Sequence, residues 1–145
     1  MLIHLYLRGD RVYLPTMVLM QTGYYVGIEP VRVLPATNAL ALQNAIVEVA
    51  QRGNAVVPTS MPLPKPPVLL KYANVKSWSA FEKKALFWAI EDKAEIYQIT
   101  PGRKRTDKGW EDDPDHIESF PPGTTLDTVA QRLAALVLLA VKDTR

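Results

Sequence analysis

The sequence predicts a single α+β domain: a mostly antiparallel sheet with two main helices packed on it. Three observations carry that prediction. The first third of the chain is a series of short apolar runs rich in β-branched and aromatic residues, punctuated by Gly9, Pro15 and Gly23. Two later segments, residues 37–53 and 124–140, place apolar side chains at helical spacing behind residues able to cap a first turn. A chain of 145 residues that is 48% hydrophobic holds enough apolar side chain for one core and is short for two.

Residues 2–8 alternate, with Ile3, Leu5 and Leu7 on one side and His4, Tyr6 and Arg8 on the other, as a half-buried strand requires. On this reading His4 lies on the solvated face. Gly9 and Asp10 reverse the chain into a second strand, residues 11–20, in which Pro15 cannot donate to a ladder and marks an edge or a bulge. Thr22 and Gly23 turn again, and residues 24–28 and 30–34 make one or two further strands, with Tyr24 and Tyr25 on opposite faces. The first helix starts at Thr37 or Asn38, carries Leu42, Ile46, Val49 and Ala50 on one stripe, and ends at Gly53.

Val56 and Val57 can add a brief strand before residues 58–67, which hold five of the twelve prolines. That stretch is expected to be an extended crossover between the halves of the domain. Residues 68–72 read as a strand. Ser77 or Ser79 caps a short helix bearing Trp78, Phe81 and Ala85, and residues 86–90 and 95–99 form a meander around Glu91, Asp92 and Lys93. Residues 103–122 read as a long polar loop, broken at most by one short strand near 117–120. Thr124 or Thr125 caps the last helix, whose stripe of Leu126, Val129, Ala130, Leu133, Val137 and Ala140 is wide enough for deep burial.

Composition narrows the function by exclusion. Seventeen Lys+Arg against fifteen Asp+Glu give a formal charge of +2, too small to argue for polyanion or membrane-surface binding. With no cysteine there is no disulfide framework, thiolate metal site or cysteine nucleophile. The N-terminal residues lack the basic region and cleavage site of a signal peptide, and the longest apolar run, residues 133–141, is about half of what crosses a bilayer. A cytoplasmic protein is expected.

The chemistry of catalysis is sparse. His4 and His116 are the only side chains that titrate near neutrality without tuning, and His116 lies among carboxylates whose spacing fits no calcium loop. There is no nucleophile elbow, phosphate loop, zinc helix or dinucleotide fingerprint. A non-enzyme without metal or cofactor is expected. What stands out is charge segregation: Arg103, Lys104, Arg105 and Lys108, then Trp110, then Glu111, Asp112, Asp113, Asp115 and Glu118. Opposite charges flanking an aromatic anchor suit a protein partner, because Trp and Arg are common hot-spot residues and charge sets orientation. The candidate contacts are therefore Trp110, Glu111, Asp112, Asp113 and Asp115, with Arg103 and Arg105 as rim charges. Two alternatives stand beside this: a solvated loop whose charge blocks pair with each other, and a small RNA-binding module using Arg103, Lys104, Arg105, Lys108 and Trp110. Trp78, Phe81, Phe87 and Trp88 read as core.

Several landmarks resemble a family of small bacterial proteins: Gly23, Tyr24 and Tyr25 through Glu29, Pro30 and Val31; Arg52, Gly53 and Asn54 with Val57 and Pro58; Lys76, Ser77 and Trp78 with Phe81 and Trp88; and Phe120, Pro121, Pro122 and Gly123 before the final helix. The family is that of the immunity proteins of contact-dependent growth inhibition systems, the CdiI type. The resemblance implies a cytoplasmic protein that binds and blocks the C-terminal toxin domain of a cognate effector, commonly a nuclease, with no catalytic group of its own. It transfers no interface residues. Inhibitors of nucleases often present an acidic face, whereas the sequence pI here is about 8.9, so acidic mimicry would have to be local, at residues 111–118.

Overall fold

The structure is a computed structural model and describes residues 1–143. The strands β1 (Leu2–Arg8), β2 (Arg11–Met20) and β3 (Tyr25–Pro35) lead into helix α1 (Ala39–Arg52). After the two-residue strand β4 (Val56–Val57) and the proline crossover come short helices α2 (Leu69–Ala73) and α3 (Trp78–Lys83). The remainder is β5 (Ala85–Lys93), β6 (Ile96–Lys104), β7 (Trp110–Asp112), a 3₁₀ turn (Pro114–His116), β8 (Glu118–Ser119) and helix α4 (Leu126–Asp143).

All eight strands belong to one sheet, in the order β3-β2-β1-β5-β6-β7, with β4 added to β2 and β8 to β6. Every pairing is antiparallel except that of β4 with β2. The expected α+β class is therefore observed. Strand β1 lies at the centre and pairs along its whole length with β5, from Leu2↔Glu91 to Arg8↔Ala85. Its pairing with β2 is confined to the hairpin end, Tyr6↔Tyr13 to Arg8↔Arg11. Beyond that point the strands part, and Asn54 fills the gap: its amide receives the Leu2 N–H at 2.8 Å and donates to the carbonyls of Leu2 at 3.0 Å and Met17 at 2.9 Å. Pro15 sits where the β2–β3 register shifts, the bulge that a missing N–H demands.

Each face of the sheet carries its own core. On one, Ile3, Leu5, Leu7, Val12, Leu14, Ile90 and Ile99 pack against Leu42, Ile46 and Val49 of α1 and Val129, Leu133 and Val137 of α4. Asn38 caps α1 by accepting from the Ala41 N–H at 3.1 Å, and Thr125 caps α4 by accepting from the Thr128 N–H at 3.2 Å. On the other face Tyr6, Tyr13, Val31 and Ala85 pack beneath Leu69 and Leu70 of α2 and Phe81 of α3.

This second layer corrects the sequence reading in three places. The even face of β1 is covered, so Tyr6 is core and His4 is half-buried rather than solvated. Residues 68–72 are helical, because an apolar run of that length cannot by itself separate a buried strand from a buried helix. Pro67 opens the turn, with the Leu70 N–H donating to its carbonyl at 3.1 Å, and Asn74 closes it in the left-handed region. The polar stretch after residue 102 holds regular structure, with β6 running on to Lys104 and β7 returning beside it. The meander and the short strand at 118–119 lie where they were expected.

Candidate interaction site

The residues singled out by charge segregation lie on the β6–β7 hairpin and the 3₁₀ turn after it. The turn is closed by the Arg105 N–H donating to the Gly109 carbonyl at 3.0 Å, with Gly109 at a positive φ of 82°. Asp107 steadies it: the backbone amides of Lys108 and of Asp107 itself, and then Arg105, hold this carboxyl below its ordinary value. The hairpin is docked on α3, since the Gly109 N–H donates to the Glu82 carboxylate and Lys104 Nζ donates to the Lys83 carbonyl at 2.7 Å.

Alternation then sorts the side chains. Gly102, Lys104 and Trp110 share the second face, where Trp110 lies among rings, with centroids 5.8 Å from Tyr6, 5.7 Å from Phe87 and 6.0 Å from Trp78. It is half-buried, and the indole serves the aromatic layer as well as the surface. Gly102 makes the space: a Cβ there would stand 2.7 Å from Phe87 Cδ1 and 3.2 Å from Trp110 Cβ.

Arg103 and Glu111 are register partners and pair at 3.0 Å. Arg105 pairs with Asp107 at 3.2 Å. Asp113 is turned inward, accepting from the Asp115 N–H at 3.2 Å and meeting His116 Nδ1 at 2.8 Å. Glu118 pairs with Arg132 of α4 at 2.9 Å. Among the described residues, Asp112 and Asp115 are the members of the acidic block left exposed without an ion pair. The hairpin thus joins the two ideas formed from the sequence: three of the five carboxylates are paired within the fold, and Asp112 and Asp115 are left exposed.

The two histidines occupy separate elements. His4 packs edge-on to Phe87 at 4.8 Å, and burial lowers its pKa to about 4, which makes it neutral at physiological pH. Thr100 is the polar side chain fully buried among the described residues, and no group of His, Asp and Glu there could hold a metal ion. A cleft of about 290 Å³ lies between the sheet and the proline crossover, lined by Tyr6, Met17, Tyr25, Leu63, Val68 and Trp78. Its walls are apolar, and burial pushes the Tyr6 hydroxyl up. None of the described helices is long and apolar enough to cross a membrane.

Topology also brings together what the sequence scattered. Arg8, Arg11 and Lys84 come from separate stretches, yet Arg8 is the register partner of both Arg11 and Ala85. They share an end of the sheet with the hairpin's Lys104 and Lys108. Only strand order reveals this.

A single sheet with two long helices on one face and an aromatic layer under short helices on the other defines the class. Neither protein-family models nor curated proteins match the sequence. Among solved structures, the fold is similar to the protein of unknown function NMB0488 from Neisseria meningitidis, with a TM-score of 0.67 and 11% identity over 96% of this chain and 93% of that one. It is also similar to a chain of the CdiA-CT/CdiI toxin and immunity complex from Yersinia pseudotuberculosis, with a TM-score of 0.59 and 10% identity over 94% and 95% of the two chains. At such identities the likeness is one of fold.

Proposed function

We propose that this protein is an immunity protein, which binds a cognate C-terminal toxin domain in the cytoplasm and blocks it by occlusion, without catalysis of its own. One observation carries the reading: nearly the whole chain superposes on nearly the whole of a chain from a toxin and immunity complex. The distribution of polar groups supports it. The exposed charge of the β6–β7 region, Asp112 on one face of the hairpin, Glu111 with Arg103 on the other, and Asp113, Asp115 and Arg105 at its ends, is carried by a hairpin braced by α3 and by the aromatic layer. A rigid platform of this kind orders few side chains on binding, which favours affinity. A nuclease is the toxin activity best suited to local acidic mimicry at residues 111–118.

The test is co-expression with the toxin domain encoded beside this protein. A one-to-one complex that survives size-exclusion chromatography, with nanomolar or tighter affinity, is expected. Absence of a complex at micromolar concentrations of both proteins contradicts the reading.

A further inference from the structure

The acidic edge of the hairpin is only part of the charge at this end of the molecule. Arg8 closes β1 and Arg11 opens β2 as direct cross-strand partners, so their side chains emerge on the same face, the second one. Ala85, the partner of Arg8 on the other side, follows directly on Lys84, and Lys84 and Gly9 line one shallow depression with Leu7 and Leu86. Lys83 precedes Lys84, and its carbonyl receives Lys104 Nζ at 2.7 Å. The amide of Gly109 sits on Glu82 of the same helix, which brings Lys108 to this cluster. Strand order and these two contacts bring Arg8, Arg11, Lys83, Lys84, Lys104 and Lys108 to one end of the sheet, with Lys84 at its rim beside Leu7 and Leu86 of the first face.

The neighbouring carboxylates do not neutralise it. Asp107 is paired with Arg105, and Glu82, which accepts from the Gly109 amide and keeps its charge, and Asp10 at the tip of the β1–β2 turn are two carboxylates set against six cations. None of the clustered cations forms an ion pair among the described residues. Arg8 Nε is moreover a buried donor without a partner. Elsewhere among the described residues the arginines are matched: Arg32 and Arg52 share Glu48, Arg103 holds Glu111, Arg105 holds Asp107 and Arg132 holds Glu118. Like charges gathered without partners repel one another, and that cost is offset when an anionic surface is bound.

We propose that this basic end of the sheet is an interaction surface for an acidic patch on a protein partner, and that, given the immunity reading above on which this rests, the partner is the toxin domain. Together with Asp112 and Asp115 it forms a bipolar surface that admits the partner in one orientation. A protein rather than a nucleic acid is favoured because the aromatic beside the patch, Trp110, is half-buried against Tyr6, Trp78 and Phe87 instead of standing out as a stacking platform, and because the exposed Asp112 on the same hairpin repels a polyanion.

The experiment compares two exposed triple variants of equal net charge. One carries Lys83→Glu, Lys84→Glu and Lys108→Glu in the patch; the other carries Lys65→Glu, Lys93→Glu and Lys142→Glu outside it. Association with the toxin domain is followed by stopped flow from about 50 to 300 mM salt, where electrostatic steering is strongest at the low end. The proposal expects the patch variant to associate at least tenfold more slowly at low salt with a flattened salt dependence, and the control to stay within about threefold of the parent. Equal slowing in both variants, or none in either, overturns the basic surface and leaves the immunity reading standing. Failure of the parent to bind the toxin domain overturns both. Retention of a 20-nucleotide RNA by the parent at 150 mM salt that is lost in the patch variant, with toxin binding unaltered, also overturns the proposal and assigns the surface to RNA.

Discussion

His4 shows what a single position can decide. In the alternation of β1 it falls on the side opposite Leu5, and the sequence alone makes that side polar. The structure puts α2 and α3 over it, so the imidazole is held neutral, with its pKa lowered by burial to about 4. Between pH 6.5 and 4 the unfolded chain takes up a proton that the native chain refuses, so stability is full above that window and falls as pH drops through it, by roughly 2–3 kcal/mol from this residue. Urea midpoints measured from pH 7 to pH 4 should show the fall, and His4→Phe should flatten it; parallel profiles for parent and variant would assign the acid sensitivity elsewhere. Gly102 is a second case. A methyl group there meets Phe87 and Trp110, so Gly102→Ala should cost about 1–3 kcal/mol in chemical denaturation through overpacking. A loss under about 0.5 kcal/mol would mean that the two rings give way freely. No sequence pattern announces this glycine, because its φ is ordinary and the constraint comes from two distant aromatics.

Elements were legible where period and punctuation agreed. Helices α1 and α4 begin at capping residues named from the sequence, and the turns at Gly9 and Gly23 lie where glycine was needed. Pro15 was readable as a bulge because a strand proline has few other options. Legibility failed for α2, where every residue of the run from Val68 to Leu70 is buried and periodicity carries no information. It failed again for β7, whose charged residues are register partners of β6 and look like a loop when read without that partner. The joint between α1 and β4 was also invisible. Asn54 replaces strand pairing with three side-chain hydrogen bonds where β1 and β2 diverge. Asn54→Ala should therefore destabilise by about 2–3 kcal/mol, near 1 kcal/mol for each bond. It should also raise amide exchange at Leu2 and Leu19, and a loss without that local exchange would contradict the wedge. By contrast, the exposed Arg103–Glu111 pair is expected to contribute no more than about 1 kcal/mol in a double-mutant cycle.

At the scale of the whole molecule, fold and function separate. The α+β class followed from composition and patterning, and the solved structures similar to it share only about a tenth of their residues with it. What such chains retain is a pattern of burial, which many sequences satisfy. The candidate surface was partly legible: the charged hairpin could be named from its run of Lys, Arg, Asp and Glu. The sequence could not show which of those charges are spent internally, nor that Arg8, Arg11, Lys83 and Lys84 converge beside it, because both depend on topology. The central claim is that the molecule acts by covering a toxin domain. Titrating the purified toxin domain with this protein tests it most directly: toxin activity should fall linearly to zero at one equivalent, with the fall lost in a variant carrying charge reversals at both Asp112 and Asp115. Undiminished toxin activity at a tenfold excess of the parent protein would contradict the account.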